Sequence, residues 1–351
     1  MKIADLFHEY LARLKKKYQT RLLPSHLRAI HAILTCRTPE AGTLLVKCPA
    51  CHRLEIRPKS CGHRSCPVCQ NHETSVWLER QLQKLLPVPY FLITFTIPAC
   101  LRSVAWLHQR IFFSAMFEAG ADALREQARD ERFLGGEPGF TIVLHTHSRR
   151  LGFHPHLHVL IPAGAIDVKN RFWKRKDWSF LFPEPALAGG FDKALLKRLE
   201  KAGISFPLVP GKWVVNCREV GSGAPALKYL SRYLYRGVIS EKQIVSNCDG
   251  KVTFRFRDSK TRKLRHRTVA GEDFLWLLLQ HVLPRGFRRA RDFGFLHGNA
   301  VKTLKLVQLL LYAKVPLRKE ILRPAFRCQG CGTDMKIVGR QPGHSFPCGP
   351  P

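Results

Sequence analysis

Acidic side chains are scarce in this chain of 351 residues: 26 Asp and Glu stand against 58 Lys and Arg, a net charge of +32. An excess of that size, spread along the whole length, repels itself unless the working partner is a polyanion, and nucleic acid is the first candidate. Long apolar runs are also missing, and nothing approaches the roughly 20 residues that span a bilayer. The opening MKIADLFHEYLARLKKKYQT carries acids early and lacks the apolar core of a secretory signal, which predicts a cytoplasmic protein, associated with the nucleoid when it acts. No repeat at a period of about 20 to 50 residues and no low-complexity tract is present. Neither HExxH nor the HxE and PCxxC pair occurs, so metalloprotease and zinc-deaminase readings have no support.

The 12 cysteines gather largely as CxxC pairs in a large basic chain without a secretion signal, which favours metal over disulfides. Cys48 and Cys51 form one knuckle and Cys66 and Cys69 another; four thiolates from two such knuckles fill the closed tetrahedral shell that structural zinc prefers. Cys61 and His63 lie between them and could supply a second site or replace a knuckle cysteine. A further CxxC, Cys328 and Cys331, has His344 and Cys348 beyond it and is a candidate second zinc site.

Apolar spacing predicts helices from Ile3 to about Lys17 and from Pro24 through Leu34, then a basic helix over 76–86. Pro87 to Pro98 reads as a buried strand, followed by helical patterns over 104–117 and 119–129 and a second strand from Phe140 to His147. The short link Ser-Arg-Arg-Leu-Gly-Phe then delivers Phe153-His-Pro-His-Leu-His-Val, so the two strands should pair antiparallel. Alternate strand residues share a face, so His156 and His158 aim both imidazoles at one point while Leu157 packs behind them. That arrangement suits a divalent metal. His145 and His147 share a face on the neighbouring strand, and His147 is the favoured third ligand.

Downstream, Tyr229 and Tyr233 are four residues apart, so on a helix their phenols project from one face. Tyr235 falls off that face and is expected to pack. Lys169 to Lys176 interleaves aromatics with cations, a pattern that stacks on unpaired bases; Lys174, Arg175 and Lys176, with Arg232 and Arg236 beside the tyrosines, are the candidate DNA contacts. A phenol, with its pKa near 10, is a poor nucleophile unless a held cation polarises the phosphate it attacks. With Mg2+ or Mn2+ held by the histidines, tyrosine attack yields a 5′-phosphotyrosine and a free 3′-OH, a link that a second 3′-OH can reseal without ATP.

HPHLHV, YLSRYLYRG, SCGHRSCPVCQ, PVPYFLITFTIP and HVLPRGFRRARDFGFL, in that family's order from about Ile30 to Cys331, resemble the HUH transposases of rolling-circle insertion sequences: the two-tyrosine group with an N-terminal zinc domain. The resemblance implies an α+β fold with an RRM-like antiparallel sheet flanked by helices. It also implies metal-holding His156 and His158, nucleophilic Tyr229 and Tyr233, and single-strand cleavage and transfer at element ends. The family often has a histidine just before the third knuckle cysteine, where this chain has Ser65. The expected organisation is a helical and zinc-binding segment over 1–82, a catalytic domain over 86–265 and a helical extension with a CxxC tail over 266–351. A rolling-circle replication initiator with the same chemistry, and a zinc-finger DNA binder without catalysis, are the competing readings.

Overall fold

The computed structural model describes residues 1–343 other than 70, 176–179, 210, 212, 235–237, 259–260 and 262, and describes the backbone alone at Asn71 and Tyr233. The chain opens with α1 (Ile3–Tyr18) and α2 (Pro24–Thr35). α1 buries Ile3, Leu6, Phe7, Tyr10 and Leu14 as one stripe, with Asp5 in its first turn and Lys15, Lys16 and Lys17 in its last, both favourable to the helix dipole. A hairpin of β1 (Gly42–Lys47) and β2 (Leu54–Pro58) follows, then α3 (Asn71–Leu82). Next come β3 (Tyr90–Thr96), α4 (Arg102–Leu107) and α5 (Gln109–Arg129). The helical break expected near residue 118 falls instead at His108, whose backbone (φ −116°, ψ 39°) leaves the helical region.

β4 (Phe140–His147), β5 (Phe153–Pro162), the hairpin β6 (Gly164–Asp167) and β7 (Phe172–Arg175), α6 (Glu184–Lys201), β8 (Val214–Glu219) and α7 (Ala224–Leu234) make up the middle of the chain. The last third holds β9 (Ile244–Cys248), β10 (Lys251–Arg257), β11 (Leu264–Ala270), α8 (Gly271–Leu279), β12 (Ala290–Phe293), α9 (Val301–Leu310), β13 (Phe326–Arg327) and β14 (Asp334–Pro342). Five strands form the central sheet in the order β12-β4-β5-β3-β8, and every neighbouring pair is antiparallel. This is the α+β class and antiparallel sheet that the sequence led us to expect.

Strand alternation sorts the two faces. Phe91, Ile93 and Phe95 of β3, Ile142 and Leu144 of β4, and Leu157, Val159 and Ile161 of β5 join α5 and α6 in the largest core. Tyr90, Leu92, Val143 and Leu160 point the other way and pack with Leu227, Leu230 and Leu234 of α7 and Val307 of α9. At one end of the sheet that second face carries histidines in place of aliphatics.

The segments 1–82, 86–265 and 266–351 interleave in space. The stripe of α1 shares a core with Val252, Phe254, Phe274 and Leu275, Tyr10 Oη donates to Asn247 Oδ1 (2.6 Å) and Tyr18 Oη donates to Asp273 Oδ1 (2.7 Å). β1 pairs with β14, and β12 edges the central sheet beside β4. Contacts cross these segments because each amphipathic element buries its face against whichever partner the topology brings. Among the described residues no helix is long and apolar enough to cross a membrane.

Candidate active site

β5 places His156 opposite His145 and His158 opposite Val143 of β4, while Thr96 and Thr94 of β3 flank the same two histidines on the other side. His145, His156 and His158 each offer a ring nitrogen within 4.8 Å of the others'. Ring centroids lie 5.3 Å apart for His145 and His156, 4.5 Å for His145 and His158, and 4.9 Å for His156 and His158. His147, the expected third member, is displaced. The β4–β5 register shifts between His145 and His147, setting His147 opposite Phe153, with its ring 5.4 Å from that of His281. His145 is paired with His156 in the regular part of the ladder, and the irregularity lies beyond it, on the side of His147.

The tautomers favour metal binding. His156 Nδ1 lies 2.7 Å from the His154 carbonyl, which can only accept, so Nδ1 carries the proton and Nε2 keeps a lone pair. His158 Nδ1 lies 3.0 Å from Thr94 Oγ1, a hydroxyl that can accept its proton and leave Nε2 with a lone pair. Burial pushes the pKa of His156 down to about 4 and that of His158 to about 3, and holds His145 well below the ordinary value, so all three are neutral donors at pH 7. Three converging neutral imidazoles, two of them with outer hydrogen-bond partners, fit a divalent cation.

The turn that feeds β5 is firmly held. Leu151 adopts a left-handed φ of 64°, unusual for a bulky side chain, and is buried. Its carbonyl accepts from Nε2 of buried His281 (3.0 Å), whose Nδ1 then accepts from Thr146 Oγ1 (3.2 Å). Arg149 and Arg150 sit exposed in this turn, tied to the β10–β11 hairpin: Arg267 donates to the Arg150 carbonyl (2.5 Å) and Arg149 to the Arg257 carbonyl (3.4 Å). The sequence reading did not single out these cations, although the Arg-Arg of the link was visible.

α7 approaches the same face. Ala226, Leu227, Leu230 and Leu234 are buried, and this stripe turns Tyr229 toward the histidines, its ring centroid 6.5 Å from His145 and 6.3 Å from His158. Tyr229 is 40% exposed, open enough to meet a substrate. Tyr233 lies one turn further along the helix, with its side chain outside the described residues. The helix starts from Gly223, whose φ of +76° and approach to the Tyr90 ring suit glycine.

Other expected contacts fare differently. The β6–β7 hairpin follows the far end of β5, roughly 13 Å along the strand from His158 at about 3.3 Å per residue. Lys174 is committed to Glu131 (2.9 Å) and the Gly135 carbonyl (2.7 Å), and Trp173 is buried against Phe295. Phe172 and Arg175 are exposed there, and Arg232 is exposed on α7. Lys176, Tyr235 and Arg236 lie outside the described residues.

The cysteines regroup. Cys36, Cys61, Cys66 and Cys69 converge in one cluster, and Cys48, Cys51, Cys328 and Cys331 in another. The expected set of Cys48, Cys51, Cys66 and Cys69 is therefore split between two shells, because β1 is zipped to β14 and carries its knuckle away from the second. In the first cluster Cys36 Sγ lies 3.4 Å and Cys61 Sγ 3.6 Å from Cys69 Sγ. A tetrahedral zinc with about 2.3 Å bonds separates sulfurs by about 3.8 Å, whereas a disulfide needs about 2.05 Å. Cys61 thus joins a shell, while His63 Nδ1 accepts from the Ser65 N–H (3.2 Å) and is not among its members. Cys36 was missed as a lone cysteine; the surplus beyond the CxxC pairs was its only signal. His344 and Cys348 lie outside the described residues.

An antiparallel sheet with paired histidines facing a tyrosine-bearing helix, in a chain that also holds cysteine clusters, is consistent with the HUH transposase fold. Residues 139–303 match a family model described as "Putative transposase", and residues 6–97 one described as "Transposase zinc-binding domain". The chain is 33% identical over 348 residues to "Putative transposase y4qJ" of Sinorhizobium fredii, covering 92% of this chain and 87% of that one. It is 26% identical over 342 residues to the "Transposase for insertion sequence element IS801" of Pseudomonas savastanoi pv. phaseolicola, covering 88% and 82%. The chain belongs to the IS91 family of transposases. The first match spans the histidines and both tyrosines, and the second spans the whole Cys36 cluster, whose four thiols fit the zinc that its description names.

Proposed function

We propose that this transposase nicks and rejoins single-stranded DNA at the ends of an insertion sequence, mobilising it by rolling-circle transposition through a 5′-phosphotyrosine. The observation that carries this reading is the Tyr229 ring beside those of His145 and His158. Bound by His145, His156 and His158, Mn2+ or Mg2+ would supply a positive charge that polarises the scissile phosphate. Tyr229 adds its phenolic oxygen to phosphorus as the bond from phosphorus to the 3′-oxygen breaks. The phenol gives up its proton and the departing 3′-oxygen gains one. Tyr233, one turn along α7, acts in the second exchange, so one strand stays held while another is attacked. Arg149 and Arg150, at the histidine end of the sheet, and Arg232 on α7 contribute charge for the DNA backbone.

The test is denaturing electrophoresis after mixing the protein with 3′-end-labelled single strands carrying the element's own terminal sequences and Mn2+. A labelled adduct that survives SDS, disappears with chelator and is absent from the Tyr229→Phe/Tyr233→Phe double variant is expected. Neither adduct nor nick across that panel would overturn the proposal.

A further inference from the structure

The second cysteine cluster draws two ligands from beyond the matched zinc-binding domain, which ends at residue 97. We infer that Cys48, Cys51, Cys328 and Cys331 bind a second structural Zn2+, in a zinc ribbon assembled from the two ends of the chain. Cys48 Sγ lies 3.4 Å from Cys331 Sγ, Cys51 Sγ 3.6 Å from Cys328 Sγ and Cys331 Sγ 3.7 Å from Cys51 Sγ, near the roughly 3.8 Å edge of a tetrahedral thiolate shell.

The two halves of the site are built alike. Residues 48–53 link β1 to β2 and residues 328–333 link β13 to β14, each a six-residue loop that starts on the first cysteine of a CxxC. In the first loop the Cys48 N–H donates to the Arg53 carbonyl (2.9 Å) and the His52 N–H to the Cys48 carbonyl (3.1 Å). The second repeats this: the Cys328 N–H donates to the Thr333 carbonyl (3.0 Å) and the Gly332 N–H to the Cys328 carbonyl (2.9 Å). The fifth loop residue is left-handed in both, His52 at φ 58° and Gly332 at φ 72°. Two hairpins of unrelated sequence, with ligand pairs about 280 residues apart, converge on one turn geometry and aim four thiols at one point.

Burial alone gives this sheet little to stand on. Its core comprises Val46, Cys48, Cys328 and Met335, with Leu44 and Phe326 partly covered. A module with so small a core relies on a disulfide or a metal, and all four cysteines are free thiols here. The shell is closed by protein ligands, so the ion is a staple with no open position for chemistry.

Native mass spectrometry of the full chain, produced with zinc and desalted, should show two zinc ions. Cys328→Ser/Cys331→Ser should show one, and Cys100→Ser/Cys217→Ser, outside both clusters, should keep two. A wild-type chain with a single zinc that survives in Cys328→Ser/Cys331→Ser, or a metal-free disulfide among these four cysteines, would overturn the inference. If the paired variant fails to fold, alkylation of the zinc-loaded wild type decides. Cys51, Cys331 and Cys248 are all exposed, yet Cys51 and Cys331 should resist N-ethylmaleimide until chelator is added, while Cys248 reacts at once. Equal reactivity of the three would count against the site. These readouts do not depend on strand cleavage.

Discussion

Gly223→Ala probes how the tyrosine helix is set over the histidines. An added Cβ would sit 2.7 Å from Cγ of the Tyr90 ring, with two more ring carbons within 3.0 Å. The ring cannot step aside, since Tyr90 is 2% exposed and its Oη accepts the Leu86 N–H at 2.9 Å. The φ of +76° adds the left-handed cost of a Cβ, about 1–2 kcal/mol, and overpacking adds about 1–3 kcal/mol, for a total of about 2–5 kcal/mol. The Gly223 carbonyl accepts the Leu227 N–H (2.9 Å) in the first turn of α7, so relief of the clash shifts the helix that carries Tyr229. We expect a lower urea midpoint at unchanged m-value, together with slower nicking. Combining Gly223→Ala with Tyr90→Leu should recover the overpacking part, a coupling of about 1–3 kcal/mol, and leave the backbone part. A single variant within about 0.5 kcal/mol of wild type, or strict additivity in the pair, would refute the reasoning.

His145→Ala should abolish metal-dependent nicking, whereas His147→Ala should retain it; equal loss in both, followed by metal titration, would return the third position to His147. Thr94→Ala removes the partner of His158 Nδ1 and should weaken metal affinity about 10–100-fold, read from the Mn2+ concentration needed for half-maximal nicking. Lys174→Ala breaks a partly exposed ion pair and should cost at most about 1 kcal/mol in urea denaturation while leaving single-strand affinity intact. Burial pushes the pKa of His26 and His281 down to about 4, so between pH 6.5 and 4 the unfolded chain takes up protons that the folded chain refuses. Their contribution is complete above about pH 6.5 and drains as the pH falls, by about 3 kcal/mol per histidine at pH 4.5; a flat urea midpoint between pH 7 and 4.5 would contradict it.

What could be read in advance follows the range of the forces involved. The facing pair His156 and His158 and the one-turn spacing of Tyr229 and Tyr233 are fixed by local periodicity, and both were legible. The choice between His145 and His147 depends on the pairing register of two strands, which no single-strand pattern encodes. Proximity in sequence favoured closing Cys48 and Cys51 with Cys66 and Cys69, yet strand pairing sends each knuckle to a different partner. Lys174 looked like a free cation because Glu131, which holds it, lies 43 residues away.

The pairing of β1 with β14 has a consequence for synthesis. Cys48 leaves the ribosome 283 residues before Cys331, an interval of roughly 14–57 s at about 5–20 residues per second. Throughout it β1 has β2 on one side and an open edge on the other, the kind of strand that recruits wrong partners. The nascent N-terminal hairpin must therefore survive with bare thiols and an unpaired ladder until β14 emerges, and a message cut short before β14 would leave it in that state permanently.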